Sequence, residues 1–404
     1  MAPPERLAIV GGGPAGHAVA KAFREAGGGG EVLLLTAEDR RPYRRPPLTK
    51  EYLRGELGEA DLPLEGPGWY EAHGVELRCG ATVGGLDPLD RVLTMLDGER
   101  IGYRDCVLCT GSEPARPPIA GVADPRVHVL RTVGNATRLA QAVGPGTTVC
   151  VIGAGFIGCE AAASLSMRGA DVTVIAPEPA PQSGRLGDEV GAVIRGWLEE
   201  LGVVLRAGEE VAEVLYPEAA GARLRLRSGQ EITCDEVVLG AGVAPRVGLA
   251  ELAGAALERG AVVTDASMRT AVEGLWCAGD IAFAHNAAAG RRLRVEHWGE
   301  ALAHGAVAGA ALAGRSSEWA QAPGFWSTIG RRTLKQAAWG DGWDETRLDG
   351  DADGFTAWYG RDGRVVGVLT HDRDDDYESG RELVEAGAPW PPEPDTACDS
   401  IRGA

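Results

Sequence analysis

Two stretches of the chain repeat one pattern of apolar and polar positions. Leu7-Ala-Ile-Val-Gly-Gly-Gly-Pro-Ala-Gly16 is echoed by Val149-Cys-Val-Ile-Gly-Ala-Gly-Phe-Ile-Gly158, each an apolar run, a GxGxxG and then a helix-like segment. A second apolar run follows each copy, over 31–36 and 171–176. This predicts two βαβ openings on one chain. Further along, 106–111 reads as a buried strand ending in glycine, 261–281 as strand, polar turn and short strand, and 301–313 as a closely packed helix rich in Ala and Gly. His297 and Trp298 stand at the opening of that helix. From Pro323 the composition shifts to Trp, Arg and Asp, and the apolar runs 355–359 and 365–369 flank a hairpin turn at Asp362-Gly363.

A lone GxGxxG marks little more than a tight turn, but here strand, helix and second strand surround it twice. Gly11 and Gly153 permit the sharp turn, Gly13 and Gly155 let backbone approach a pyrophosphate, and Gly16 and Gly158 let the helix sit close to the sheet. Pro14 and Ala15 in the first copy, and Phe156 and Ile157 in the second, fill the remaining positions. The helix N-terminus then offers unpaired N–H groups and roughly half a positive charge to the phosphates.

After the first unit Glu38 lies 22 residues beyond Gly16, where a carboxylate can accept adenosine ribose hydroxyls; the competing reading is a solvated turn acid. In the second unit that place is taken by Ala176-Pro-Glu178, with the acid displaced. No Arg immediately follows the strand, and Arg185 is a distant candidate for a 2′-phosphate, so NADH and NADPH both stay open. Downstream, Gly279-Asp280 places a carboxylate at the carboxyl edge of a sheet, within reach of a ribityl chain.

Size and charge narrow the picture. The 404 residues exceed the roughly 250–300 at which one core stops growing, so two or three domains are expected. No apolar stretch approaches the ~20 residues of a membrane span, and the first strand begins at Leu7 without a signal-peptide pattern, which reads as cytoplasmic. A formal charge of −18 argues against nucleic acid or an anionic membrane as partner. The eight cysteines are scattered. One pair, Cys106 and Cys109, matches CxxC, but residues three apart on a strand point to opposite faces, so a structural role is expected and no metal site.

These residues together resemble the FAD-dependent NAD(P)H:ferredoxin reductases of bacterial dioxygenase and cytochrome P450 systems, the putidaredoxin-reductase type, which are also similar to rubredoxin reductases and apoptosis-inducing factor. The resemblance covers nearly the whole chain. It rests on 11–16, on Pro42-Tyr-Arg-Arg-Pro-Pro-Leu-Thr-Lys50, on Thr110-Gly111, on Leu130-Arg-Thr132, on 153–160, on Gly279-Asp280 and on Glu296-His-Trp298. It implies an α/β fold of the glutathione-reductase type, with two Rossmann-like dinucleotide-binding domains, for FAD and NAD(P), and a small α+β C-terminal domain. The expected boundaries are 1–115 and 243–320 for the two segments of the FAD domain, 116–242 for the NAD(P) domain and 321–404 for the interface domain, with Val237 to Gly242 bringing the chain back.

Carried over residue by residue, the resemblance sets Arg45 and Lys50 along the FAD pyrophosphate and isoalloxazine, with Lys50 near the flavin N5 and paired with Glu160. Arg131 lies against FAD, and Trp298 beside the flavin ring near the nicotinamide; otherwise Trp298 is a core aromatic. The amides of His297 and Trp298 and the helix dipole would hold the negative charge that develops on reduction. Two departures stand out. Thr328 occupies a place after Phe325-Trp-Ser327 where the family often has a carboxylate, and Thr49 replaces the usual Ser.

The function implied is hydride transfer from NADH or NADPH to FAD, followed by single-electron transfer to a small iron–sulfur ferredoxin. Basic residues at Arg40, Arg41, Arg44 and Arg45, at Arg291, Arg292 and Arg294, and at Arg331, Arg332 and Lys335 form a docking patch for an acidic partner, or else a solvated face. Two other readings compete. A flavin disulfide reductase, peroxidase or oxidase needs a flavin-proximal thiol, yet Pro46-Pro-Leu-Thr-Lys50 occupies that place and Cys159 is single. A redox-sensing flavoprotein like apoptosis-inducing factor stays open, as does monomer against homodimer.

Overall fold

The computed structural model describes residues 5–217 and 221–391. Contacts divide the chain into two compact units. The first runs to Arg44 and resumes over Pro63–Glu113 and Ala244–Phe325; the second comprises Arg45–Leu62, Pro114–Val243 and the chain from Trp326 onward.

The first unit is built on a five-stranded parallel sheet in the order Leu275–Cys277, Asp105–Leu108, Arg6–Val10, Glu31–Leu35, Val75–Arg78. Its inner strands are apolar at nearly every position because both faces are covered, as parallel sheets require. The helix Pro14–Glu25 follows the first strand and crosses the helix Trp298–Leu312 at very short range. Glycine permits that approach: a Cβ on Gly305 would stand 2.3 Å from the Ala15 carbonyl oxygen, and one on Gly309 2.5 Å from that of Val19. An antiparallel sheet of three strands (Val83–Asp87, Val92–Met95, Arg100–Gly102) and a mixed sheet of four (Leu257–Glu258, Ala261–Thr264, Ala282–Asn286, Arg291–Arg294), parallel only between its two central strands, complete the unit. Leu33, Leu93, Ile101, Tyr103, Leu108 and Ile281 share one core.

The second unit repeats the plan. Its parallel sheet runs Val204–Ala207, Asp171–Ala176, Thr148–Ile152, Glu236–Leu239, His128–Val129, with the helix Phe156–Met167 after the central strand. An antiparallel sheet in the order Gly324–Ile329, Arg332–Ala338, Arg364–His371, Gly354–Arg361, Glu345–Asp351 carries the helix Asp374–Ala386 on the strands 332–338 and 364–371. The hairpin turn expected at Asp362-Gly363 is there: φ is 50° and 70° at the two positions, the left-handed pair that matches the twist of the flanking strands.

The CxxC cysteines are structural. Cys106 lies in the strand Asp105–Leu108 and Cys109 just past it; both are buried, neither is in a disulfide, and burial pushes both thiols up. Among the described residues no helix is long and apolar enough to cross a membrane.

Candidate active site: two dinucleotide cradles and a buried ion pair

Four adjacent parallel strands of the first unit deliver the candidate residues at their carboxyl ends, the place where α/β sheets bind ligands. Gly11 follows Val10 with φ 126°, and a Cβ there would meet the Cys109 carbonyl oxygen at 2.1 Å. A Cβ on Gly16 would lie 2.0 Å from the Gly11 carbonyl oxygen, so the helix seats directly on the turn. Gly13 differs: no protein atom lies within 4 Å of a Cβ placed there. The helix opens with Pro14 at its first turn, without a side-chain cap or a first-turn acid, leaving its N–H groups free of side-chain competition. Open space in front of unpaired amides is what a pyrophosphate needs, and the turn fits one.

The rest of the first cradle surrounds that turn. Glu38, three residues past the strand Glu31–Leu35, accepts a hydrogen bond from the Tyr43 hydroxyl at 2.8 Å and stays half-buried. Gly279 has φ 85°, and its Cβ would sit 3.0 Å from that of Ala15, so Gly279-Asp280 stands against the fingerprint helix. Ser112 donates to the Asp280 carboxylate at 2.6 Å. The Thr110 hydroxyl donates to the Arg246 carbonyl at 2.8 Å, and the Arg246 amide to that of Gly111 at 2.9 Å. His297 is the N-cap of the helix Trp298–Leu312, extended at φ −118°, ψ 147° and giving no side-chain cap; its ring stacks on Phe325 at 4.8 Å. Trp298, half-buried, is the first helical residue.

The second unit holds the other cradle. Gly153 has φ 104°, a Cβ on Gly158 would stand 2.1 Å from the Gly153 carbonyl oxygen, and the helix starting at Phe156 has neither side-chain cap nor first-turn acid. Phe156 and Ile157 are its first two residues. At Gly155 a Cβ would come only into ordinary contact, 3.6 Å from the Gly240 carbonyl oxygen. The Arg185 guanidinium lies 5.7 Å from the centre of the Phe156 ring, which brings this distant candidate to the mouth of the second fingerprint. Gly242 has φ 92° and accepts from the Ala115 amide at 2.9 Å, pinning the outgoing chain to the incoming one.

Within the same unit Lys50 and Glu160 form a buried ion pair, Nζ to Oε2 2.8 Å, with both side chains over nine-tenths covered. Thr49 donates to the same oxygen at 2.5 Å, Ser327 to Oε1 at 2.8 Å, and the Thr328 amide to Oε1 at 3.3 Å. Four donors on one carboxylate meet the condition under which a buried charge is tolerated. Arg45 donates to the Arg131 carbonyl at 2.6 Å, tying the two arginines together. Sequence reasoning paired Lys50 with Glu160 but missed Ser327. The signal lay in Phe325-Trp-Ser-Thr328, where the alternation of a strand leaves Trp326 exposed and turns Ser327 inward.

Cys159, on the fingerprint helix, is buried, donates to the Ala154 carbonyl at 3.3 Å, and its thiol is pushed up by burial, which leaves no reactive thiolate there. Several candidate basic residues have acidic partners: Arg40 with Asp39 at 3.2 Å, Arg332 with Glu200 at 2.7 Å, Lys335 with Asp374 at 2.6 Å, and Arg294 with Glu296. Arg331 is exposed at the turn between strands 324–329 and 332–338. Among the described residues no cluster of His, Cys, Asp and Glu has metal-binding geometry.

Two glycine-rich turns on one chain, each opening a helix beside a parallel sheet, have the form that two dinucleotides require, and the chain is an oxidoreductase that uses FAD and NAD(P)H. The chain belongs to the pyridine nucleotide-disulphide oxidoreductase family, whose profile matches residues 5–305; a reductase C-terminal profile matches 324–401. It is 33% identical to the ferredoxin–NAD(+) reductase component of the anthranilate 1,2-dioxygenase system of Burkholderia cepacia, over 98% of this chain and 97% of the relative. It is 31% identical to the rhodocoxin reductase of Rhodococcus erythropolis, over 96% and 91%. Putidaredoxin reductase, solved in covalent complex with putidaredoxin, superposes with a TM-score of 0.91 at 26% identity, covering 95% of this chain and 94% of that one.

Proposed function

We propose that the protein takes hydride from NADH or NADPH onto FAD and passes single electrons to a small iron–sulfur ferredoxin, serving an oxygenase or P450. FAD supplies the step between a two-electron donor and one-electron acceptors. The chain's own part is to bind and orient two coenzymes and to place fixed charges; no general acid or base is demanded. The observation that carries the reading is the pair of helix starts without side-chain caps or first-turn acids at Gly13-Pro14 and Gly155-Phe156, the first of them facing open space.

In this reading the FAD domain takes segments 1–115 and 243–320, the nicotinamide domain 116–242, and the interface domain 321–404. Gly11, Gly13, Pro14, Ala15 and Gly16 hold the FAD pyrophosphate, Glu38 the adenosine ribose, Thr110, Gly111, Gly279 and Asp280 the ribityl side, and Arg45 and Arg131 lie along the cofactor. Gly153, Gly155, Phe156, Ile157, Gly158 and Gly242 hold the nicotinamide dinucleotide. Lys50 stands near the flavin N5 with Glu160 as its counter-charge, and Trp298 beside the ring with His297 at the helix start. The ferredoxin docks on basic residues centred on Arg331, Arg332 and Lys335. That two of these three are already paired with acids sets a moderate patch, suited to a transient complex. The working state is a monomer or homodimer in the cytoplasm.

The relatives support the acceptor class, since those named above are reductases of ferredoxin-type partners. Steady-state reduction of a panel of ferredoxins, rubredoxin and low-molecular-weight disulfides tests it. Rapid turnover with at least one ferredoxin and none with disulfides is expected; turnover with disulfides alone would reverse the assignment.

A further inference from the structure

The helix that begins at Trp298 carries a buried carboxylate, Glu300, in its first turn. An acid at that position would ordinarily face solvent or fold back to cap the amides. Glu300 does neither. Its Oε2 accepts from the Trp319 indole Nε1 at 2.9 Å and its Oε1 from the Gly324 amide at 3.2 Å. Burial pushes the carboxyl up from its ordinary range, and those two donors oppose the push. Each oxygen therefore has one donor, and both donors belong to the segment that follows the helix.

That segment returns to the helix start. Phe325, next to Gly324, stacks on the ring of His297, the residue that caps the helix. The Phe325 ring thus packs on the side chain of the N-cap residue, at the point where the backbone turns into the helix. The links run Glu300 to Gly324, Phe325 to His297, and His297 to the first amides of the helix, with Trp319 bracing the carboxylate from the other side.

We infer that Glu300 is a positioning residue that aims the first amides of the helix Trp298–Leu312 at the flavin and so sets its reduction potential. This rests on the proposed placement of His297 and Trp298 beside the flavin. Reduced flavin carries added negative charge, and amides at a helix start stabilise it only when held in line before reduction occurs. Loosening the clamp leaves the amides less well aimed, which favours the oxidised form.

The test uses two variants that keep the negative charge while breaking the geometry from opposite ends. Glu300→Asp is one methylene short of reaching both donors, and Trp319→Phe removes the indole donor. Reduction potentials are measured against reference dyes on flavin-replete protein, together with the rate of FAD release followed by flavin fluorescence. Both variants should shift the potential downward and release FAD several-fold faster than the natural sequence. If either folded variant retains one FAD per chain with unchanged potential and release rate, the inference is wrong. A third variant, Trp298→Phe, separates the two levels. If it alters flavin absorbance or potential while the Glu300 and Trp319 variants do not, only the inference fails; if it alters neither, the placement of Trp298 fails as well.

Discussion

The Lys50 ammonium lies 2.8 Å from Oε2 of Glu160, both side chains almost wholly buried, with the Thr49 and Ser327 hydroxyls on the same carboxylate. Removing one partner of such a pair strands the other charge, at a cost of about 3–5 kcal/mol. Glu160→Ala should therefore destabilise the fold by about that much, in denaturant melts of the flavin-loaded protein. The double change Lys50→Met with Glu160→Leu should recover most of the stability while hydride transfer stays slow. A double variant as unstable as the single one would show that the pair contributes more than mutual neutralisation.

Two glycines of the first turn, Gly16 and Gly13, should respond differently to a methyl group. Gly16→Ala drives a Cβ to 2.0 Å from the Gly11 carbonyl oxygen and should disrupt the turn itself. Gly13→Ala meets no protein atom within 4 Å, so the apoprotein should melt as the natural one does. Its FAD affinity should nevertheless fall by about tenfold or more, a penalty of about 1.4 kcal/mol, because the methyl enters the space reserved for phosphate. Equal FAD affinity by fluorescence titration would remove Gly13 from the cradle.

His304 lies on the buried face of the helix 298–312, edge-on to Trp319 at 4.4 Å. Burial pulls it down from 6.5 to about 4, the Gly279 backbone opposing in part. The unfolded chain therefore binds the proton more tightly than the native state between those values. Stability contributed by the neutral ring is complete above pH 6.5 and is lost as pH falls toward 4, by about 3 kcal/mol. His304→Leu should flatten the unfolding free energy across that window relative to the natural sequence. Parallel pH profiles for the two proteins would contradict this.

Charge reversal of Arg331 together with Arg332 and Lys335 should slow ferredoxin reduction at low salt and leave NAD(P)H-to-flavin transfer unchanged, with the difference shrinking as salt rises. The comparison requires both half-reactions, because Arg332 and Lys335 also pair with Glu200 and Asp374 and their reversal repels those acids.

Much of this was legible in the sequence because the relevant signals are local. Each fingerprint turn, its strand and its helix lie within 30 residues, and the glycine roles follow from backbone sterics alone. The hairpin at Asp362-Gly363 is local in the same way. What stayed hidden is non-local. Ser327 meets Glu160 across 167 residues; strand alternation turns the serine inward but does not say which carboxylate it reaches. Glu300 stands just before the helix-like segment 301–313 of the sequence and carries no local signal there; only the packing of Trp319 over the helix turns it into a buried anchor. The basic clusters show the converse, since sequence counts the arginines but not the acids folded against them.

Two coenzymes bound to one chain should exchange hydride directly. Anaerobic titration of the purified protein with NADH and with NADPH, followed by flavin absorbance, tests it most directly. The protein should be yellow, and its flavin should be bleached by about one equivalent per chain of at least one of the two nucleotides. A folded protein that takes up no FAD, or whose bound flavin stays oxidised in excess of both, would contradict it.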